Sequence, residues 1–217
     1  MSTVILPLIG ACSEDEVTPD TGSGSCVTSP SETAGPFPTK DPTSLVMMDI
    51  TSDRTGVDLT VKITVQNKNN NCEPLAGAMV DVWHCDKDGY YSEYGGTGMQ
   101  SVNLTAYHFL RGRQTTDGDG LAGFASIFPG WYSGRAPHIH VHIYDSTGKS
   151  LLVTQIAFPT DVCDTVYTTA AQYTKGKQDT SNAGDNIFSD SLDNELADVT
   201  GNINDGYVLA QTIIVNA

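Results

Sequence analysis

The sequence contains few basic residues and no long apolar run. Its 217 residues include 11 Lys and Arg against 26 Asp and Glu, so the formal charge is −15. A surface this acidic argues against a protein that binds nucleic acid or the anionic face of a membrane. No segment approaches the roughly 20 apolar residues that a membrane-spanning helix needs. The length suffices for one large all-β domain, and the charge is typical of a protein kept soluble outside the cell.

Sustained helical periodicity and internal repeats are also absent, and short strand-like segments recur instead. Residues 57–65 (VDLTVKITV) alternate apolar and polar side chains with the period of two that a half-buried strand requires. Turn sequences separate such segments: DSTGKS at 145–150 and DGDG at 117–120 each predict a β-hairpin. Residues 160–206 are rich in Asp, Asn, Ser, Thr and Gly, which predicts long loops and one short helix. We therefore predict an all-β fold, a single-domain β-sandwich with long loops, over residues 26–217.

The first 25 residues are interpreted as an export signal and a flexible tether. An apolar run from Val4 to Ile9 leads into Ile-Gly-Ala-Cys, which resembles a bacterial lipobox. The cysteine of such a motif, here Cys12, becomes the lipidated first residue of the mature protein. The run is short and the usual basic segment before it is missing, so a buried N-terminal strand is the alternative. The polar, Gly/Ser-rich stretch after Cys12 favours the tether. These features predict a lipid anchor at Cys12 and an extracytoplasmic protein, either a membrane-anchored bacterial lipoprotein or a secreted one.

Cysteine is scarce, with five residues in the chain. If Cys12 carries lipid, the remaining cysteines are Cys26, Cys72, Cys85 and Cys163. An even number in an oxidising compartment predicts two disulfides, but the sequence does not choose among the possible pairings. No CxxC pair is present to indicate a zinc site, and free buried thiols are the alternative.

The segment PGWYSGRAPHIHVHIY (129–144) concentrates histidine, tyrosine and arginine. His138, His140 and His142 occupy alternate positions, so on a strand they point to one face. Neighbouring histidines on that face lie roughly 6.6 Å apart along the strand. Two of them can converge on one metal ion, whereas all three can hardly reach it together. The HxH pair therefore predicts a metal site that takes further ligands from elsewhere in the chain.

The nearest candidates for those further ligands are tyrosines. Tyr132 shortly precedes the HxH pair, and Tyr90 and Tyr91 follow a predicted strand that ends in DVWHC. A phenol has a pKa near 10, so it binds only a strong Lewis acid that stabilises the phenolate. Phenolate is a hard anionic ligand suited to ferric iron. A third histidine, such as His84 or His108, would instead complete a zinc site.

Four stretches of the chain, in this order, resemble the intradiol ring-cleavage dioxygenase family, especially its small secreted members. They are SCVTSPSETAGPFP, CEPLAGAMVDVWHCDKDGYYS, FLRGRQTTDGDGLAGFASIFPGWYSGRAPHIHVHIY and TQIAF, which together run from Cys26 to Phe158. The succession of G-x-Y-S, PGWY and RAPHIH is highly specific, while residues 160–217 match loosely. The resemblance implies an enzyme that uses O2 and one non-haem Fe(III) per chain. Its reaction would cleave a catechol-type ring to a cis,cis-muconate-type diacid.

The resemblance also assigns roles to individual residues. It implies that the iron ligands are two tyrosines and two histidines: Tyr91, Tyr132, His138 and His140. It places His142 outside the ligand set. It implies that Tyr132 takes up a substrate proton as it leaves the metal, and that Arg135 stabilises negative charge on the ring. A surface arginine paired with a carboxylate is the alternative for Arg135.

Further positions are assigned to the catalytic site and the substrate pocket. Gln155, in TQIAF, matches a catalytic glutamine of the family, although a strand glutamine can simply bond to backbone. The expected pocket residues are Gly35, Pro36, Phe37 and Trp131, and for Trp131 a core position is the alternative. The family more often has GPYY where this chain has GPFP, so Phe37 lacks a hydroxyl.

Two other functions remain open at this point. One is a zinc hydrolase or hydratase that uses the HxH pair with a distant histidine. The other is a non-catalytic, tethered β-sandwich binding module. The actual substrate (catechol, protocatechuate, hydroxyquinol or a plant-derived phenolic) and the oligomeric state are also open. Outside the motifs, Trp83 is predicted to be a core residue, and Arg111 and Arg113 are predicted to lie on a solvated strand face.

Overall fold

The computed structural model describes residues 26–96 and 98–217. The predicted signal, Cys12 and the tether over residues 1–25 lie outside these ranges. The described part is built from two β-sheets with a single α-helix, which confirms the predicted all-β sandwich. Within it, no helix is long and apolar enough to cross a membrane.

The first sheet carries the alternating segment found in the sequence. Its strands are β1 (Asp58–Asn67), β2 (Glu73–Pro74), β5 (Leu121–Ile127), β8 (Asp198–Asn202) and β9 (Gly206–Val215). Strand β1 pairs with β9 in parallel and with β2 and β5 antiparallel, while β8 pairs with β9 at the edge. Every second residue of β1 from Leu59 to Val65 is buried, because one face of this strand meets the second sheet.

The second sheet holds the HxH segment. Its strands, in spatial order, are β4 (Arg111–Thr115), β3 (Met79–Trp83), β6 (His138–Tyr144) and β7 (Ser150–Ala157). All neighbours are antiparallel, and β6 and β7 form the hairpin predicted around DSTGKS.

The core lies between the two sheets and divides the residues of β6 by face. Ile139, Val141 and Ile143 pack into this core. The intervening His138 and His140 therefore point away from the first sheet, to the outer face of the second one. The helix α1 (Thr160–Thr169) packs against the same core through Cys163, Val166 and Tyr167, and it is the short helix predicted after residue 160.

The prediction of a hairpin at DGDG is wrong. Asp117 does form a turn there and accepts the peptide N–H groups of Asp119 and Leu121. The strands on either side of this turn, β4 and β5, belong to different sheets. The link therefore carries the chain from one layer of the sandwich to the other.

The predicted solvated face for Arg111 and Arg113 is also wrong. Arg111 is 1% exposed and donates to the carbonyls of Phe37 and Ser92. Arg113 is 9% exposed and forms a two-point ion pair with Asp81 on β3. Both guanidinium groups are covered because loops lie across the outer face of the second sheet.

Only half of the predicted disulfide framework is present in the described residues. Cys26 and Cys72 are joined, which fastens the first described residues to the loop after β1. Cys85 and Cys163 are free and buried, contrary to the prediction of two bridges. Cys163 packs in the sandwich core, whereas Cys85 lies beside Trp83 and Tyr91 on the outer side.

Candidate metal centre and active site

The four predicted metal ligands meet on the outer face of the second sheet. The Nε2 atoms of His138 and His140 lie 3.2 Å apart, and the hydroxyl of Tyr91 lies 3.3 Å from Nε2 of His138. The ring of Tyr132 lies edge-on to both, with its centroid 5.7 Å from that of His138 and 6.0 Å from that of Tyr91. The structure thus brings together two strand residues, the nearby loop residue Tyr132, and Tyr91, which lies 47 residues before His138 in the sequence.

The protonation states of these groups suit a metal of high charge. Burial lowers the pKa of His138 to about 3 and that of His140 well below its usual value, so both imidazoles are neutral. The Nδ1 atom of His138 donates to the carbonyl of Ala136 at 2.6 Å, which leaves its Nε2 lone pair directed at the cluster. Burial raises the pKa of both Tyr91 and Tyr132, so these phenols ionise only beside a strong cation. Two neutral imidazoles and two such phenols are a donor set that fits ferric iron.

A zinc site built on a third histidine finds no support in residues 26–96 and 98–217. No group of three His, Cys, Asp or Glu residues in these ranges could hold a metal ion. His84 is bonded through its two ring nitrogens to the carbonyl of Cys85 and the hydroxyl of Ser126. His108 is paired with Glu93.

His142 lies apart from the cluster, as its position on the strand predicted. Its Nε2 atom bonds to the hydroxyl of Ser150, and its Nδ1 atom to that of Tyr144. The ring stacks on Tyr144 with centroids 3.9 Å apart. Both of its nitrogens therefore have partners outside the cluster.

Glycines in the two tyrosine motifs let the loops that carry the tyrosines touch backbone to backbone. Gly89 of G-x-Y-S has φ +92°, and a Cβ there would lie 2.3 Å from the carbonyl oxygen of Trp131. Gly130 of PGWY would bring a Cβ within 2.3 Å of the carbonyl oxygen of Lys87. A side chain at either position would push the two loops apart, and with them Tyr91 and Tyr132.

Tyr91 is held on every side. The side-chain amide of Gln100 accepts the N–H of Tyr91 at 2.7 Å and donates to its carbonyl at 2.8 Å, as a neighbouring strand would. Phe37 stacks on the phenol ring at a centroid distance of 4.9 Å. Tyr91 is fully buried, so its hydroxyl has one fixed position. The sequence does not predict this role for Gln100, because no motif around it indicates hydrogen bonds to the backbone of Tyr91, nine residues away.

The pocket residues predicted from GPFP border the cluster, while Trp131 faces elsewhere. Gly35 has φ +67°, and a Cβ there would lie 2.8 Å from Cε1 of His140. Pro36 is exposed next to it. The indole of Trp131 donates to the carbonyl of Gly176 and packs against the edge of the sandwich core. Trp83, predicted to be core, is buried but stacks on His140 with nearly parallel rings 5.0 Å apart.

Arg135 and Gln155 are bonded to each other beside the histidines. Gln155 stands opposite His140 on the neighbouring strand β7. Its amide oxygen accepts from Nη2 of Arg135 at 2.6 Å, and its amide nitrogen donates to the carbonyl of Thr33. Arg135 also pairs with a carboxylate, as the alternative expected, but this carboxylate is the fully buried Asp185 and not a surface group.

A wide groove of about 1240 Å³ lies on the exposed face of the first sheet. Lys62, Thr64 and Gln66 of β1 line it, and none of the predicted site residues does. The candidate centre is instead covered by loops on the opposite side of the sandwich.

Comparison with known proteins gives consistent matches to ring-cleaving dioxygenases. Residues 28–196 match a family model described as dioxygenase. Chlorocatechol 1,2-dioxygenase of Rhodococcus opacus is 31% identical over 120 residues, which cover 46% of this chain and 44% of that protein. Hydroxyquinol 1,2-dioxygenase of a Rhizobium species is 30% identical over 151 residues, which cover 61% of this chain and 48% of that protein. The chain thus spans less than half the length of these two curated relatives.

Two solved structures resemble the whole described domain. An intradiol ring-cleavage dioxygenase from Tetranychus urticae superimposes with a TM-score of 0.76 at 25% identity, covering 88% of this chain and 95% of that one. The dioxygenase domain of a carbohydrate-binding fusion protein from Streptomyces sp. SirexAA-E superimposes with a TM-score of 0.62 at 26% identity, covering 88% and 99%.

Proposed function

Because this chain belongs to the intradiol ring-cleavage dioxygenase family, we propose that it cleaves a catechol-type ring with O2. The bond broken is the one between the two hydroxyl-bearing carbons, and the product is a cis,cis-muconate-type diacid. One observation carries the proposal: Tyr91, Tyr132, His138 and His140 converge at one buried point. The non-catalytic module proposed as an alternative has no need of such a donor set.

In this proposal one Fe(III) per chain is held by the two tyrosines and the two histidines. When bound, ferric iron supplies a Lewis acid that accepts a catechol as its dianion and makes the ring reactive toward O2. The neutral imidazoles of His138 and His140 would add no charge, so the phenolate of Tyr91 and the catechol dianion would together balance the charge of the metal. The stacking of Trp83 on His140 and the contact of Gly35 with the same ring fix the direction of its Nε2 atom.

The two tyrosines differ in a way that assigns the proton acceptor. Tyr91 is fully enclosed and bracketed by Gln100, so it stays in place. Tyr132 is only partly buried, and the nearby Arg135 lowers its pKa against the rise that burial causes. We assign to Tyr132 the uptake of one substrate proton, which its phenolate oxygen would accept as the catechol binds.

Arg135 supplies positive charge beside the reacting ring. Its Nε atom is engaged by Asp185 and its Nη2 by Gln155, which leave the guanidinium plane fixed. A group held in this way stabilises charge that develops during the reaction without having to reorganise. Gln155 acts through Arg135, since its amide oxygen sets where that plane lies.

The proposed substrate is a small aromatic ortho-diol. The relatives named above act, by name, on chlorocatechol and hydroxyquinol. We also propose that the protein works outside the cytoplasm, as a lipoprotein or a secreted protein. The Cys26–Cys72 disulfide and the charge of −15 support this location.

Oxygen uptake with catechol, together with NMR of the product, tests the reaction. We expect one O2 consumed per ring and a muconate-type diacid. Arg135→Ala should keep its iron and its spectral response to catechol, while its turnover rate falls by about 10² or more. Arg135→Lys should recover only part of the rate, because an ammonium lacks the planar fork of the guanidinium. A near-normal rate in Arg135→Ala would mean that its charge plays no part in the reaction.

A further inference from the structure

Asp185 is a buried carboxylate outside all the sequence motifs. It accepts hydrogen bonds from Arg135 and from the N–H of Ala136, the residue whose carbonyl is bonded to His138. Asp185 lies directly after a short 3₁₀ turn, Asn182–Gly184, in the stretch that the sequence predicted only as loop. Its side chain has no exposed surface. A carboxylate in such a position is stable only when its oxygens are fully paired.

Three N–H donors make four hydrogen-bond contacts with the two oxygens of Asp185, because the Nε–H of Arg135 is shared between both oxygens. Oδ1 accepts from Nε of Arg135 at 3.1 Å and from the N–H of Ile187 at 2.8 Å. Oδ2 accepts from Nε of Arg135 at 2.8 Å and from the N–H of Ala136 at 2.6 Å. The carboxylate therefore binds both the side chain of Arg135 and the backbone N–H of the next residue, Ala136.

The backbone N–H that bonds to Asp185 belongs to Ala136, and the carbonyl of the same residue orients the ring of His138. Ala136 donates its N–H to Asp185 and accepts the Nδ1 proton of His138 on its carbonyl. Metal-binding histidines are commonly fixed by a carboxylate or a carbonyl on the far ring nitrogen, and loss of such a partner weakens the site. Here the carbonyl of Ala136 contacts His138 directly, and the carboxylate of Asp185 holds Ala136 in place.

Packing of the same loop extends this link. Phe188, three residues after Asp185, is fully buried. The guanidinium of Arg135 lies over its ring at 5.8 Å, and the ring of His138 meets it edge-on at 6.4 Å. One short segment thus borders both the arginine and the histidine.

We propose that Asp185 is a positioning residue that sets Arg135 and His138 together. Its hydrogen bond to Arg135 Nε fixes the guanidinium charge beside the substrate. Its hydrogen bond to the N–H of Ala136 fixes the residue whose carbonyl orients the ring of His138. The effect of Asp185 on turnover rests on the proposed ring cleavage, while its effect on metal retention rests only on the proposed iron site.

Asp185→Asn is the informative substitution. An amide of the same shape keeps one acceptor oxygen but places an NH2 group against N–H donors in either orientation. The matched control is Asp179→Asn. Asp179 comes from the same region and accepts the N–H of Gly134, in the same link before the HxH pair, but it is exposed.

The measurements are the rate at which iron is lost to excess EDTA, and kcat and KM for catechol. We expect Asp185→Asn to lose iron roughly 10-fold faster or more, and its kcat to fall about 10- to 100-fold with a smaller change in KM. Asp179→Asn should match the wild type in each. The inference is overturned if Asp185→Asn matches Asp179→Asn in both iron loss and kcat.

A double variant keeps the test valid if Asp185→Asn does not fold. Arg135→Gln with Asp185→Asn removes both charges, so no buried charge is left alone. We expect the double variant also to lose iron faster than the wild type, because an amide at position 185 can no longer accept both the Ala136 and the Ile187 N–H groups. Iron loss as slow as in the wild type would overturn the link to His138. A wild-type protein that holds iron but consumes no O2 with catechols would refute the proposed function and leave the iron-loss comparison to decide this inference. A wild-type protein that takes up no iron would refute both.

Discussion

At the scale of single residues, strand β6 places a proposed ligand and a non-ligand of the same type two positions apart. His140 is buried under Trp83 with its Nε2 atom at the cluster, while both nitrogens of His142 are bonded elsewhere. We expect His140→Ala to lose most of its iron and His142→Ala to keep wild-type iron content. Metal analysis of the two purified variants makes the comparison. Equal loss in both would show that the cluster is not assembled as described.

A second histidine makes stability depend on pH. His84 is buried and bonded to Cys85 and Ser126, and burial lowers its pKa from 6.5 to about 4. Between these values the unfolded chain binds a proton that the folded protein does not, so stability falls as the pH drops. The full contribution is present above pH 6.5 and is lost progressively toward pH 4. A shift of this size corresponds to roughly 3 kcal/mol for a fully buried group.

His84→Gln removes this titration while keeping a polar side chain. Urea unfolding at pH 7 and pH 4.5 should show the wild type losing about 2–3 kcal/mol more than His84→Gln between the two conditions. Equal losses would mean that His84 does not carry the pH dependence.

The four proposed ligands could be singled out from the sequence, whereas the residues that hold them could not. Tyr91, Tyr132 and the HxH pair stand in local motifs that resemble those of the family. Gln100 and Asp185 act through hydrogen bonds to residues that only the folded chain brings near. Asp185 lies 50 residues from Arg135 in the sequence, in a region without a recognisable pattern.

At the scale of elements, periodicity predicted faces correctly, whereas turn chemistry predicted the strand pairing around DSTGKS but not around DGDG. The alternation of β6 placed the histidines on one face, and the outer face of the second sheet is where they lie. The DGDG turn was recognised, yet a turn reverses the chain equally well within a sheet and between two sheets. Arg111 and Arg113 were expected in solvent because a strand pattern does not reveal which loops will cover it.

The Cys26–Cys72 disulfide closes a long loop of the chain, so we expect it to contribute to stability. Cys26 and Cys72 are separated by 46 residues, and closing a loop of that size corresponds to about 4 kcal/mol in the chain-entropy model. Cys26→Ser should therefore lower the free energy of unfolding by up to about this amount. Urea unfolding of the variant and the wild type measures the difference. Thiol titration of denatured, unreduced protein should detect Cys85 and Cys163 but not the paired cysteines. Unchanged stability together with four reactive thiols among these positions would contradict the bridge.

At the scale of the whole molecule, the apolar core and the candidate centre lie on opposite faces of the second sheet. The core between the two sheets is apolar and holds the strands in register, while the candidate centre lies on the outer face under loops. The resemblance in sequence is strongest up to Phe158, but the family match extends to residue 196 and includes Asp185 and Phe188. These two residues of the loop after α1 contact Arg135 or His138, which the composition of that loop did not indicate.

The most direct test of the proposed ferric centre is the metal content and visible spectrum of the purified protein, recorded before and after catechol is added without oxygen. We expect one iron per chain, a red-brown colour from phenolate-to-iron charge transfer, and a shift of that band when catechol displaces Tyr132. Tyr91→Phe should bleach the colour or empty the site. A colourless protein fully loaded with zinc, unchanged by catechol, would contradict the ferric centre and the ring-cleavage function built on it.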